Sequence, residues 1–234
     1  MEKSFFLRNF VEAFTAKNKT KNQKQNIMKK LFTTTLALLL VASLTAQISF
    51  GPRAGFNLTN MSIDGETFDF RPGFQAGLVA HIPLLGEFLS IQPGLLFAQQ
   101  GNRDSYEDHG IKANFATNLN YLQMPINVQL GFGIGENARI LLQAGPYLGL
   151  ALGGNYKVEA LGQTETIDIP FGSDAGEVNR FDFGVGFGAG VQFGRLQIGV
   201  GYNLGMANLS NADGATMKNN GLAFTATWLF GGNR

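Results

Sequence analysis

Between Ile48 and Phe230 the chain passes through seven stretches in which apolar residues alternate strictly with small or polar ones, and an eighth, 88–100, where the alternation is weaker. In 68–82 the even positions are Phe68, Phe70, Pro72, Phe74, Ala76, Leu78, Ala80 and Ile82. The odd positions are Asp69, Arg71, Gly73, Gln75, Gly77, Val79 and His81. Side chains on a strand point alternately to opposite faces, so such a segment has one greasy face and one small or polar face. In 48–60, Phe50, Ala54, Phe56 and Leu58 oppose Arg53, Asn57 and Thr59. Around 122–132, Leu122, Met124, Ile126 and Val128 oppose Gln123, Asn127 and Gln129, and around 139–150 Ile140, Leu142 and Leu148 oppose Arg139, Gln143 and Tyr147. In 181–193 four phenylalanines alternate with Asp182 and a row of glycines, and 196–204 and 222–230 repeat the theme.

The connections alternate too. Those at 83–87, 133–138 and Gly194 are short, whereas 61–67, 101–117, 153–179 and 205–221 are longer and polar. Short turns on one rim and long loops on the other are the pattern of bacterial outer-membrane barrels. The stretches are also long enough for the 9–11 residues or so that a tilted strand needs to cross a bilayer. The pattern therefore predicts an all-β protein: an eight-stranded antiparallel up-and-down transmembrane β-barrel, closed so that no edge strand is left in lipid. Its Leu, Phe, Val and Ile band would face the outer-membrane lipids, with both termini periplasmic and four loops outside. Five prolines resist this pattern. Pro52, Pro72, Pro93, Pro125 and Pro146 all fall within predicted strands, although proline cannot donate to a ladder.

What precedes the alternation sets the compartment. Met28-Lys29-Lys30, an apolar run to Leu44 and Thr45-Ala46-Gln47 describe a secretory signal peptide over 28–46, cut after Ala46. Residues 1–27 are polar and read as an upstream start chosen in error, with a long n-region or a short cytosolic helix as the alternative. That leaves 47–234 as the barrel domain. The whole chain carries a net charge of +1, but residues 47–234 hold ten basic against fifteen acidic groups, a net −5. No clustered basic face for nucleic acid is expected from that balance. The chain has no cysteine, which excludes a disulfide scaffold and thiolate chemistry. Thirty-one glycines with twenty-one phenylalanines suit a tightly curved barrel with an aromatic exterior.

Several short motifs carry a family likeness. They are Gly51-Pro52-Arg53-Ala54-Gly55-Phe56-Asn57-Leu58, Ile91-Gln92-Pro93-Gly94, Asn120-Tyr121-Leu122-Gln123-Met124-Pro125, Gly145-Pro146-Tyr147-Leu148-Gly149 and Tyr202-Asn203-Leu204-Gly205-Met206. Together they resemble the PorT-type outer-membrane β-barrel proteins of Gram-negative bacteria, over essentially all of 47–230. The resemblance implies the small-barrel architecture, and, through the namesake, assistance in protein export across the outer membrane. The chain departs from the pattern in ending Gly231-Gly232-Asn233-Arg234 after Phe230, where such barrels commonly stop at an aromatic residue.

Candidate chemistry is sparse. His81 has Ser90 across a short turn but no inward acid on the same rim, so no hydrolase or acyltransferase constellation is expected. The Asp104-Ser105-Tyr106-Glu107-Asp108-His109 stretch offers oxygen ligands without EF-hand spacing, and a solvated acidic loop is the simpler reading. Gly184, Gly186 and Ala189 match a degenerate dinucleotide spacing, but no helix follows and the glycines continue an inward strand face. No cofactor and no metal are expected. The inward polar residues Arg53, Arg71, Gln123, Asn127, Gln143 and Asp182 are expected to form a structural network filling the lumen, with Arg71 paired to Asp182. An eight-stranded barrel is just wide enough to be packed and not to conduct. The expected function is thus non-enzymatic: a structural or accessory barrel assisting export. The alternative is a surface-binding or adhesion module, and in either case protein partners would be gripped by 101–117 and 153–179.

Overall fold

The computed structural model describes residues 48–108 and 111–231. The expected extension over 1–27 and the signal peptide over 28–46 lie outside the described residues. In chain order the strands are β1 (Ser49–Ile63), β2 (Glu66–Thr67), β3 (Asp69–Leu85), β4 (Leu89–Asp108), β5 (Ile111–Ile134), β6 (Ala138–Ala160), β7 (Gln163–Asp168), β8 (Phe181–Phe193), β9 (Leu196–Gly205), β10 (Met217–Trp228) and β11 (Phe230–Gly231). Eight of them form the wall. Each pairs antiparallel with the next in the order β1, β3, β4, β5, β6, β8, β9, β10, and β10 pairs back onto β1 to close the ring. β2 folds onto β1, β7 extends β6, and β11 resumes the β10 line beside Ser49 and Phe50.

The register fixes the shape of the wall. From Val191, successive partners are Ile198, Ala226, Ala54, Ala76, Phe97, Leu122 and Leu150, and the next is Phe181. One circuit thus returns to β8 ten residues from its start, 191 to 181. Such a stagger tilts the strands to the barrel axis by roughly 35–45°. All nine side chains on this circuit belong to the outward set. Around them Phe50, Leu78, Leu95, Leu148, Phe183, Phe187 and Trp228 are exposed to the surroundings, as a lipid-facing band requires.

The five prolines fit because a strand residue aims its N–H at only one of its two neighbours. Each proline keeps its partner on one side, namely Leu78, Leu58, Ile126, Tyr147 and Val185 for Pro52, Pro72, Pro93, Pro125 and Pro146. On the other side the ladder skips. Paired register is missing beside Pro72 and Pro93 in β3–β4, beside Pro125 in β4–β5, beside Pro146 in β5–β6, and beside Pro52 where β10 gives way to β11. The orphaned carbonyls lean into space that only glycine leaves open. A Cβ at Gly51 would lie 1.7 Å from the Trp228 carbonyl oxygen, and one at Gly145 would lie 2.0 Å from that of Ile126. The Gly51-Pro52 and Gly145-Pro146 pairs are therefore one device: proline opens the ladder and glycine accepts the displaced carbonyl.

Strands occupy nearly all of the expected loop 101–117 and the first part of 153–179, while 169–179 stays irregular. The ladder between β4 and β5 continues past the wall, from Gln100 opposite Leu119 to Asp108 opposite Ile111. Likewise 153–160 prolongs β6 and pairs with both β5 and β7. Polarity misled here because these segments lie beyond the greasy band. A ladder there needs only its backbone hydrogen bonds, and neither face has to meet lipid.

Candidate functional site

Two regions of the molecule have the geometry to do something: the lumen, and the sheet that rises from its hairpin end. The lumen is polar toward the short turns. Gln92, wholly buried, sits at the centre. Its Oε1 accepts from Arg53 Nη2 and, at 2.9 Å, from Gln129 Nε2, while its own Nε2 donates to Gln197 Oε1 at 2.9 Å. Arg53 Nε donates to Thr227 Oγ1 at 2.8 Å, Gln129 Nε2 donates also to Gln143 Oε1 at 3.0 Å, and Gln197 Nε2 donates to Gln192 Oε1 at 3.0 Å. Inward positions on seven wall strands thus supply one hydrogen-bonded network around a single guanidinium. Every buried amide in such a chain needs its partner, which makes the set cooperative.

Toward the hairpin end the filling turns apolar. Met61, Leu119, Tyr121, Ala151, Ile169, Val178, Ala207 and Leu209 are buried together, with Phe171 and Met217 packed against them. Half of this cap comes from chain outside the wall. The segment after β7 folds over the mouth, held by Asn211 Nδ2 donating to the carbonyls of Gly172 and Glu177 at 2.9 and 3.1 Å. The Arg180 guanidinium lies 5.3 Å from the centre of the Phe171 ring, a cation–π contact. Just beneath the cap, Asp182 Oδ2 accepts from Asn219 Nδ2 at 3.1 Å and from the Tyr147 hydroxyl at 3.5 Å. Between the two fillings is a cavity of about 50 Å³, lined among others by Arg53, Gln123, Asn127 and Gln143, with room for a few waters.

Of the six expected lumen residues, Arg53 and Gln143 enter the amide network, while Gln123 and Asn127 line the cavity. Asp182 stands apart beneath the cap. Arg71 does not pair with it: Arg71 Nη1 turns instead to the Gln100 carbonyl at 3.4 Å. The ion pairs among the described residues are Arg139 with Glu87 at the short-turn rim and Lys157 with Glu159 on the hairpins. Neutral donors, Asn219 and Tyr147, hold the carboxylate that was expected to meet a cation. The residues not singled out beforehand are Gln92, Gln129, Gln192 and Gln197. Their signal was present as glutamine recurring at inward parity in the short-turn half of successive strands.

Beyond the wall, β4, β5, β6 and β7 form a four-stranded sheet with two unlike faces. Register places Tyr106, Ala113, Phe115, Tyr156, Val158, Ala160 and Ile167 on the face of lumen parity, with Asp104, Gln163 and Glu165 among them. The opposite face carries Arg103, Ser105, Glu107, Lys112, Asn114, Lys157, Glu159, Thr164, Thr166 and Asp168. The Lys157 ammonium beside it holds the Glu159 carboxyl below the usual carboxylate range. A cleft of about 410 Å³ adjoins this sheet, lined by Asp69, Arg103, Asn114, Phe115, Lys157 and others. Among the described residues no three His, Cys, Asp or Glu side chains gather as metal ligands, and His109 lies outside those residues.

A family model described as outer membrane protein beta-barrel domain matches residues 23–211. Similar solved structures include Ail, the attachment invasion locus protein of Yersinia pestis, in complex with the heparin analogue sucrose octasulfate. That match has 19% identity, covers 79% of this chain and 99% of that one, and gives a TM-score of 0.37. Neisserial surface protein A, NspA, matches with 13% identity over 77% of this chain and 97% of its own, with a TM-score of 0.42. No curated protein matches the chain.

Proposed function

The chain belongs to the outer membrane protein beta-barrel domain family, and from that premise we propose that it is a closed, non-enzymatic barrel that holds a β-sheet above the outer membrane for a macromolecular partner. The observation that carries this reading is the sheet itself. Three strands run on past the lipid-facing band, β7 joins them as a fourth, and together they expose Tyr106, Phe115, Tyr156 and Ile167 to water. Side chains of this kind cost free energy to leave uncovered, and contiguous exposed apolar surface marks interaction sites. The lumen supports the closed barrel, since a polar network and an apolar cap both stand across any solute path. In this reading the hairpins lie outside, the short turns and both termini lie in the periplasm, and the band is solvated by outer-membrane lipids.

Assistance in protein export, implied by the PorT-type resemblance, would engage the same hairpin end. One experiment separates the two readings. A deletion strain is complemented with the full chain or with a form whose hairpins are shortened at 103–116 and 157–166. Loss of surface binding with an unchanged set of secreted proteins supports the binding reading, whereas periplasmic accumulation of secreted proteins supports export. If shortening changes neither, both readings fail. Because the chain has no cysteine, a Thr166→Cys variant also tests the orientation. Labelling by a membrane-impermeant maleimide on intact cells is expected, and labelling only after the outer membrane is opened would reverse the topology.

A further inference from the structure

We infer that the outer edge of β7 is a docking strand for an extended, basic polypeptide segment, which pairs with it and adds a fifth strand to the hairpin sheet. The inference rests on the reading of the hairpin end as a binding surface and names the site and the partner's chemistry. β6 and β7 are joined by a two-residue turn, Leu161-Gly162, in which both residues have positive φ, 53° and 77°. That geometry makes Ala160 and Gln163 the closing hydrogen-bonded pair. Pairs then alternate, so Glu165 and Ile167 bond to Val158 and Tyr156, while Thr164, Thr166 and Asp168 turn their N–H and C=O groups away from β6. Among the described residues β7 pairs with β6 alone, and all six of its residues are exposed. An open ladder of this kind is a template for an added strand.

Charge selects what can pair there. β7 carries Glu165 and Asp168 and no cation. The surroundings agree: segments 61–69, 101–119, 153–180 and 205–218 together hold twelve acidic residues against five Lys or Arg, a net −7. A second copy of the same edge would bring two more carboxylates and no cation to the sheet, and like charges gathered there destabilise the pairing. Register puts Asp168 on the polar face and Glu165 beside Ile167 on the other, so a segment with Lys or Arg at alternate positions meets Asp168 on the polar face. Its intervening apolar residues can extend the row that runs from Tyr156 to Ile167 on the lumen-parity face.

The test uses the full chain in lipid nanodiscs and a capped heptapeptide of alternating Lys and Val. Binding is expected to slow amide exchange at Thr164, Thr166 and Asp168 by about tenfold or more, the mark of new hydrogen bonds. The same peptide N-methylated at alternate residues keeps its charge and loses the donors of one edge, so its affinity should fall by about tenfold or more. Thr166→Pro removes an outward N–H without touching a β6–β7 bond, and should weaken the unmodified peptide to a similar extent while exchange at Val158 and Tyr156 stays unchanged. A peptide with Glu in place of Lys should not bind. If the N-methylated peptide and Thr166→Pro leave binding intact, or protection falls on 104–108 instead, strand pairing at β7 is overturned. In that event loss of binding on shortening the hairpins would still uphold the hairpin end as a binding surface, and binding that survives the shortening would sink that reading as well.

Discussion

The two ends of the lumen solve the same problem with opposite chemistry. Toward the short turns the space is filled by Arg53 and a chain of glutamines, and toward the hairpins by Met61, Leu119, Leu209 and the ring of Tyr121. The difference follows from what each filling is attached to. The polar one comes from residues on the wall strands themselves, whose backbone positions are fixed by the ladder, so the amide geometry is set before the side chains meet. The apolar one comes half from chain outside the wall. Apolar contact is non-directional and tolerates the looser placement of such a segment. A directional network needs rigid supports, and the molecule keeps its network where those supports are.

The largest effect should come from breaking the polar end at its centre. Gln92→Leu removes a partner of Arg53, Gln129 and Gln197 together and leaves the buried guanidinium its bond to Thr227. The expected loss is about 3–5 kcal/mol in denaturant unfolding from lipid vesicles, of which roughly 1.5–3 is the hydrogen bond to the charged group and the rest the buried amides left short of a partner. Adding Arg53→Met should restore much of that loss, because the charge that needed the amide is then gone. If the double variant is as unstable as Gln92→Leu alone, packing around Gln92 matters more than its hydrogen bonds.

At the other end, Leu209→Ala empties a fully buried position of the cap. Leu-to-Ala changes in cores cost roughly 2–5 kcal/mol, and the lower part of that range is expected where half the lining is folded-over chain that can settle. The loss should also be local. Amide exchange should quicken across 169–180 while the wall strands keep their protection, and planar-bilayer conductance should stay at the background level because the amide network still closes the lumen. A channel opened by Leu209→Ala would show that the cap alone seals the barrel.

Tyr121 joins the two chemistries, with its ring in the cap and its hydroxyl accepting from Asn219 Nδ2 at 3.4 Å beside Asp182. Tyr121→Phe keeps the ring and drops one long hydrogen bond, so about 0.5–1.5 kcal/mol is expected. A larger loss would place the Asp182 cluster inside the cooperative polar network.

Much of this was legible in the alternation. The wall strand 181–193 coincides with β8, the outward Phe and Leu positions face outward, and the closed ring follows from parity and turn spacing. The hairpin sheet was hidden by its acids. Residues 101–117 hold Asp104, Glu107 and Asp108 and read as solvated loop, although Ala113 and Phe115 already share one parity, and Tyr106 joins their face only through the hairpin register. The neighbour of Asp182 was hidden for a different reason. Parity tells which side chains point inward, but the ten-residue stagger decides which of them meet, and that stagger is a property of the whole circuit.

The smallest effect belongs outside both fillings, where water screens the same kind of contact. The Lys157 ammonium holds the Glu159 carboxyl below its ordinary range. Because the folded-state value is depressed, the pair's contribution is present above the ordinary carboxylate range and is lost as pH falls through the folded value. Lys157→Met should raise the Glu159 titration, read by carboxyl-carbon NMR, and remove that acid-side dependence, yet leave unfolding near neutral pH almost unchanged. A marked loss of stability at neutral pH would mean that the hairpin sheet depends on its surface charges as the lumen depends on its amides, and the contrast between rigidly supported and water-screened polar contacts would not hold.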